Sequence, residues 1–151
     1  EELGIKKANR RIGKRHRNWG IGPVKIEHFA LNASDPLNMA RWYVEHLGFT
    51  VKRRMMDAPF AHFIADESGT VMLEIYGNTG AAKLDFPNIE PPALHLAFVS
   101  HDVAADVKRL TAAGATIVAD VHELPPGDTF AMLRDPWGVP LQLVKRKTRM
   151  I

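Results

Sequence analysis

The 151-residue sequence contains no cysteine. Disulfides, thiolate metal sites and cysteine nucleophiles are therefore excluded together, and any metal must be held by nitrogen and oxygen donors. No apolar run approaches the about 18 residues that a membrane-crossing helix needs, so no membrane association is expected. Glycine-rich phosphate loops before a helix, a Ser-His-Asp signature and zinc-finger spacings are absent as well. What remains is the composition of a globular chain, 46% hydrophobic and 25% charged, long enough for one domain or for two small repeats around one core.

The formal net charge of +3 is unevenly distributed. Residues 1–22 hold seven Lys/Arg against Glu1 and Glu2, and Lys145, Arg146, Lys147 and Arg149 close the chain. The 122 residues between carry 9 Lys/Arg and 15 Asp/Glu. An acidic body is thus flanked by a basic N-terminal arm, 1–22, and a basic tail, 147–151. The arm lacks hydrophobic periodicity and is expected to be mobile; its alternative role is an anchor for nucleic acid. Arg10-Arg11 is followed by no apolar segment, so no complete export signal is read and a cytoplasmic location is expected.

From Val24 the order of elements repeats. Val24–Leu31 is β-rich and runs into Asn32-Ala33-Ser34-Asp35-Pro36, a helix start with Ser34 or Asp35 as N-cap and Pro36 in the first turn. Met39, Tyr43 and Leu47 form an apolar helical stripe that stops at Gly48. Strands are expected at Thr50–Met56, Phe60–Ala65 and Val71–Tyr76. A second copy opens at Ala93–Val99. Its helix has Asp102 as N-cap, Val103, Val107 and Leu110 as stripe, and Gly114 as stop. Strands at Ala115–Val121, Thr129–Arg134 and Val139–Lys145 complete it. Module one (24–76), a Gly/Asn/Pro-rich linker (77–92) and module two (93–146) make up a domain over 23–146.

Landmarks support the duplication. His28 and His95 are 67 residues apart, Gly48 and Gly114 are 66 apart, and Glu74 and Gln142 are 68 apart. Each module therefore reads strand, helix, strand, strand, strand: an α+β fold of two βαβββ modules.

Four strands each place one ligand-capable side chain in apolar surroundings at equivalent points: His28, Glu74, His95 and Gln142. A buried glutamate is costly unless paired, protonated or metal-bound. Two imidazoles, a carboxylate and an amide oxygen suit a divalent ion such as Zn, Ni, Co, Fe or Mn. A single strand histidine is more simply a hydrogen-bonded sheet residue; four such residues at equivalent positions point to a metal. His62, on a face with Phe60 and Ile64, is a candidate acid–base partner or a half-buried sheet histidine. Met72, Tyr76, Phe98, Phe130 and Met132 are candidate pocket walls or core. Trp42, Tyr43 and Trp137 read as packing.

The segments IEHFALNASDP, WYVEHLGF, VMLEIY, ALHLAF, LTAAGA and LRDPWGVPLQLVKR resemble the vicinal oxygen chelate superfamily, which includes glyoxalase I, fosfomycin-resistance proteins, extradiol dioxygenases and bleomycin-binding proteins. The resemblance spans about Val24 to Arg146. It implies a cup-shaped curved mixed sheet and commonly a homodimer. It also implies metal ligands at His28, Glu74, His95 and Gln142. A glutamate is usual at the last position, and an amide accepts no substrate proton, so Glu74 becomes the only carboxylate base at the metal. The expected function is a glyoxalase-like isomerase or lyase acting on a small oxygen-chelating substrate through an enolate-like intermediate. The alternative is metal-free binding or sequestration of a small molecule.

Overall fold

The structure, a computed structural model, describes residues 22–150. The basic arm and the nucleic-acid role attached to it lie outside the described residues, apart from Gly22 at the arm's end. The chain order is β1 (His28–Asn32), α1 (Pro36–Leu47), β2 (Thr50–Arg54), β3 (His62–Ala65), β4 (Met72–Tyr76), a 3-10 turn (Phe86–Asn88), β5 (Leu96–Val99), α2 (Val103–Ala112), β6 (Thr116–Leu124), β7 (Asp128–Arg134) and β8 (Pro140–Lys145).

Two four-stranded sheets form, ordered β1-β4-β3-β2 and β5-β8-β7-β6. In each, the first strand pairs in parallel with the last, and the other pairs are antiparallel. This is the expected α+β arrangement of two βαβββ modules, in which the helix after the first strand supplies the crossover that lets that strand run parallel to the last.

Local chemistry sets the helix ends. The Asp35 carboxylate accepts from the Asn38 backbone and side-chain amides at 3.4 and 2.8 Å, with Pro36 in the first turn. Gly48, at φ +73°, ends α1 in the left-handed region that glycine enters without a Cβ clash. Asp102 caps α2 by accepting from the Ala105 amide at 3.0 Å.

Alternation gives each sheet one packed and one open face. Leu73 and Ile75 of β4, Ile64 of β3, Leu133 of β7 and Leu141 and Leu143 of β8 are buried and join Met39, Tyr43, Val103, Val107 and Leu110 from the helices in one core. Full burial of a side chain such as Met39 or Leu110 stabilises by about 1.5–3 kcal/mol. The modules are stitched across this core. Trp42 donates its indole N–H to the Ala113 carbonyl at 2.8 Å, Arg109 donates to the His46 carbonyl, and Phe49 meets Phe98 edge-on at 6.0 Å. Trp42 and Tyr43 are packing residues, as expected.

The strand ends differ from expectation most in β1, β5 and β6, while β2 and β3 are each two residues shorter than expected. Residues 24–27 precede β1 as exposed extended chain. Residues 91–94 form a turn, with the Ala93 amide donating to the Glu90 carbonyl, which leaves His95 just before β5. β6 continues to Leu124, since its hairpin partner β7 begins at Asp128 and the two pair to the tip.

Candidate functional site

The open face of module one carries His28 and Glu74. Glu74 lies opposite Ala30 in the parallel β1·β4 ladder, two residues along from His28. His28 Nε2 stands 3.5 Å from Glu74 Oε2. The other ring nitrogen, Nδ1, is engaged by the Glu27 carboxylate at 2.7 Å, which orients the ring and turns Nε2 toward Glu74. Phe63, opposite Glu74 in β3, packs edge-on against the His28 ring with centroids 5.5 Å apart. A shallow depression of about 230 Å³ opens here, lined by Glu27, His28, Arg53, Phe63 and Met72.

Module two places the corresponding residues in similar positions along the chain. Gln142 lies opposite Ala97 in the β5·β8 ladder, and His95 sits two residues before Ala97. The His95 Nδ1 engages the Pro91 carbonyl oxygen at 2.7 Å. Met132, opposite Gln142, takes the place of Phe63. The duplication thus places Gln142 at the position of Glu74, with His95 just before β5, while the ring-to-carboxylate approach of His28 and Glu74 belongs to module one. Among the described residues no group of three or more His, Asp or Glu gathers to hold a metal ion. The four expected ligands fit a divalent ion in donor chemistry, with imidazole nitrogens, a carboxylate and an amide oxygen presented on open faces; each half supplies two donors.

His62 lies elsewhere. It pairs with Ile75 across β3·β4, on the buried face, and is itself buried. Its Nδ1 engages the Phe60 carbonyl oxygen at 2.7 Å. Pairing one residue from Phe63 puts it on the opposite side of the sheet from Glu74, so it is no acid–base partner of that carboxylate. Of the other residues, Met72 and Tyr76 share the face of Glu74, and Phe130 and Met132 share that of Gln142. Phe98 pairs with Leu143 on the packed side and belongs to the core.

Sequence reasoning missed Arg53. A β-bulge between Val51 and Arg53 makes Lys52 the extra residue, so that Arg53, not Lys52, lies opposite Phe63 on the open face. It missed as well a row on module two, where His122 stacks on Phe130 with centroids 6.2 Å apart and the Arg146 guanidinium lies 5.0 Å from the Phe130 ring centre.

Two βαβββ modules, each with its first strand paired in parallel to its last, define a paired-module α+β class. The family model for the Glyoxalase/Bleomycin resistance protein/Dioxygenase superfamily matches residues 25–143, and the chain belongs to that superfamily. Solved structures share the fold. A glyoxalase-related enzyme from Fulvimarina pelagi aligns with TM-score 0.63 at 21% identity, over 81% of this chain and 88% of that one. TnmS3, an antibiotic binding protein from Streptomyces sp. CB03234, aligns with TM-score 0.63 at 20% identity, over 84% and 99%. A glyoxalase I mutant from Zea mays aligns with TM-score 0.61 at 22% identity, over 82% of this chain and 46% of that one. No curated protein matches the sequence. No helix among the described residues is long and apolar enough to cross a membrane.

Proposed function

We propose that the chain is a divalent-metal-dependent, glyoxalase-like enzyme, an isomerase or lyase acting on a small oxygen-chelating substrate. The observation that carries this reading is the His28–Glu74 pair at 3.5 Å on an open sheet face; Gln142 takes the register of Glu74 in module two, with His95 just before β5. His28, Glu74, His95 and Gln142 would hold the ion, which would supply Lewis-acid polarisation of the substrate's oxygens.

The chain's own residues divide the remaining work. Glu74 is the carboxylate of the set and accepts the substrate proton, a task the Gln142 amide cannot perform. Glu27 holds the His28 ring in its orientation. Phe63 and Met72 give the depression beside His28 apolar walls. The two half-sites face outward, so a homodimer is proposed to bring a half-site of each kind together. The exposed apolar side chains Phe29 on β1 and Val99 on β5, 43% and 71% accessible, support such an association along the free sheet edges.

Metal analysis of the full chain, purified without chelator, tests the reading. Stoichiometric divalent metal, lost in both His28→Ala and His95→Ala, is expected; its absence from the unsubstituted protein rejects the enzyme. A metal-free binding protein is the second reading, favoured by the His122–Phe130–Arg146 row of stacked aromatic and cationic groups on module two.

A further inference from the structure

We propose that Arg53 recognises an anion on the open face of module one, and that the ligand of this site is a small molecule bearing a carboxylate in addition to its chelating oxygens. The inference rests on the reading of that face as a ligand site and names the class of ligand.

Arg53, Phe63 and Glu74 form a row across β2, β3 and β4. Arg53 is two strand spacings from Glu74, about 10 Å between backbones. A ligand with its oxygens at His28 and Glu74 and its body against Phe63 directs a substituent toward the guanidinium. Arg53 lines the same depression as His28, Phe63 and Met72. Among the described residues no hydrogen-bond or ion-pair partner engages it, while Glu27, the carboxylate lining the depression, is taken up by His28. An uncommitted guanidinium beside an aromatic wall presents a planar fork of donors that matches a carboxylate in two parallel bonds.

The duplication separates this role from a structural one. Module two has the same bulge, between Ile117 and Ala119, and places Ala119 opposite Met132 as Arg53 is placed opposite Phe63. Alanine suffices for the backbone there, so the bulge does not demand arginine. Arg54 pairs opposite His62, on the other parity of the strand, and Lys52 is the extra residue of the bulge. Of the three consecutive cations on β2, only Arg53 shares the Glu74 face by register and lines the depression.

The test uses calorimetric titration of the full chain with 3,4-dihydroxybenzoate and with its neutral methyl ester, each with and without one equivalent of Zn²⁺. The acid is expected to bind about tenfold tighter than the ester, the scale of one charge-assisted contact in a partly solvated site. Arg53→Gln should bind both compounds equally, at the level of the ester. Arg53→Lys should keep part of the preference, and Arg54→Gln all of it. Equal binding of acid and ester by the unsubstituted protein, binding of neither, or a preference that survives Arg53→Gln overturns the proposal. If Zn²⁺ changes the affinity for neither compound while the Arg53-dependent preference persists, the metal reading fails and the anion site stands.

Discussion

The Tyr43 hydroxyl donates to the Asp135 carboxylate at 3.0 Å, inside the protein, joining the helix of module one to the last turn of module two. Asp135 also accepts from the Trp137 and Val139 amides, each at 2.9 Å. Burial pushes the Asp135 carboxyl up to about 6 despite these donors, and burial beside that carboxylate holds the Tyr43 hydroxyl well above its usual range.

Stability should therefore fall as pH rises through this group. Below the ordinary carboxylate value of 3.8 both folded and unfolded chains hold the proton; between 3.8 and about 6 only the folded chain does. Its contribution is complete at the acid end and lost above about pH 6, a change on the order of 3 kcal/mol. Asparagine keeps an acceptor for the two amides and does not titrate. Urea unfolding at pH 4, 5, 6 and 7 should show Asp135→Asn gaining on the unsubstituted protein as pH rises. A difference constant across that range would rule out a buried, titrating Asp135.

The same turn depends on Gly138. Its φ of +89° lies in the left-handed region, and a Cβ there would meet the Pro87 ring and backbone nitrogen at 2.6–2.8 Å. Gly138→Ala should destabilise the fold by about 3 kcal/mol, from backbone strain and displacement of the linker together. Gly48→Ala is the comparison: it has φ +73° but nothing within 4 Å, so only the conformational cost of about 1 kcal/mol is expected. Equal losses at the two sites would show that Pro87 moves aside freely.

Arg134 holds the linker from the other side. It donates to the Phe86, Ile89 and Gly138 carbonyls at 2.8–2.9 Å, a fan that the guanidinium fork can make and a lysine ammonium cannot reproduce. Arg134→Ala should lower stability by about 2 kcal/mol and speed proteolysis between 77 and 92. Arg134→Lys should recover part of both effects. Unchanged cleavage would mean that the buried Phe86 side chain alone anchors the linker.

Much of the frame is legible because short-range chemistry decides it. Asp35, Pro36 and Gly48 mark α1, Asp102 marks α2, and the 68-residue offset of Glu74 and Gln142 reflects one shared register. What escapes is set by pairing between strands. The face of His62 follows from its partner Ile75, and the face of Arg53 from a bulge that alternation along β2 cannot reveal. His95 drops out of β5 because the Pro91-Pro92 turn delays pairing to Leu96. Equivalent positions in a duplicated fold lie one in each module, so their equivalence along the sequence does not by itself bring His28, Glu74, His95 and Gln142 together.

Gln142 is where the proposed ligand set departs from a second carboxylate. It occupies the register of Glu74, half-buried opposite Ala97 and Met132. If it belongs to the ligand set, Gln142→Glu replaces a neutral amide oxygen by a carboxylate and should raise divalent-metal affinity by about tenfold or more. Without metal the same change places a second carboxylate in a partly desolvated position and should cost about 1 kcal/mol. The variant should thus melt below the unsubstituted protein in chelator and gain more on adding Zn²⁺. Metal titration followed by thermal unfolding reads both effects. A chelator penalty with no gain in affinity would place Gln142 outside the ligand set and leave His28, Glu74 and His95 as its protein donors.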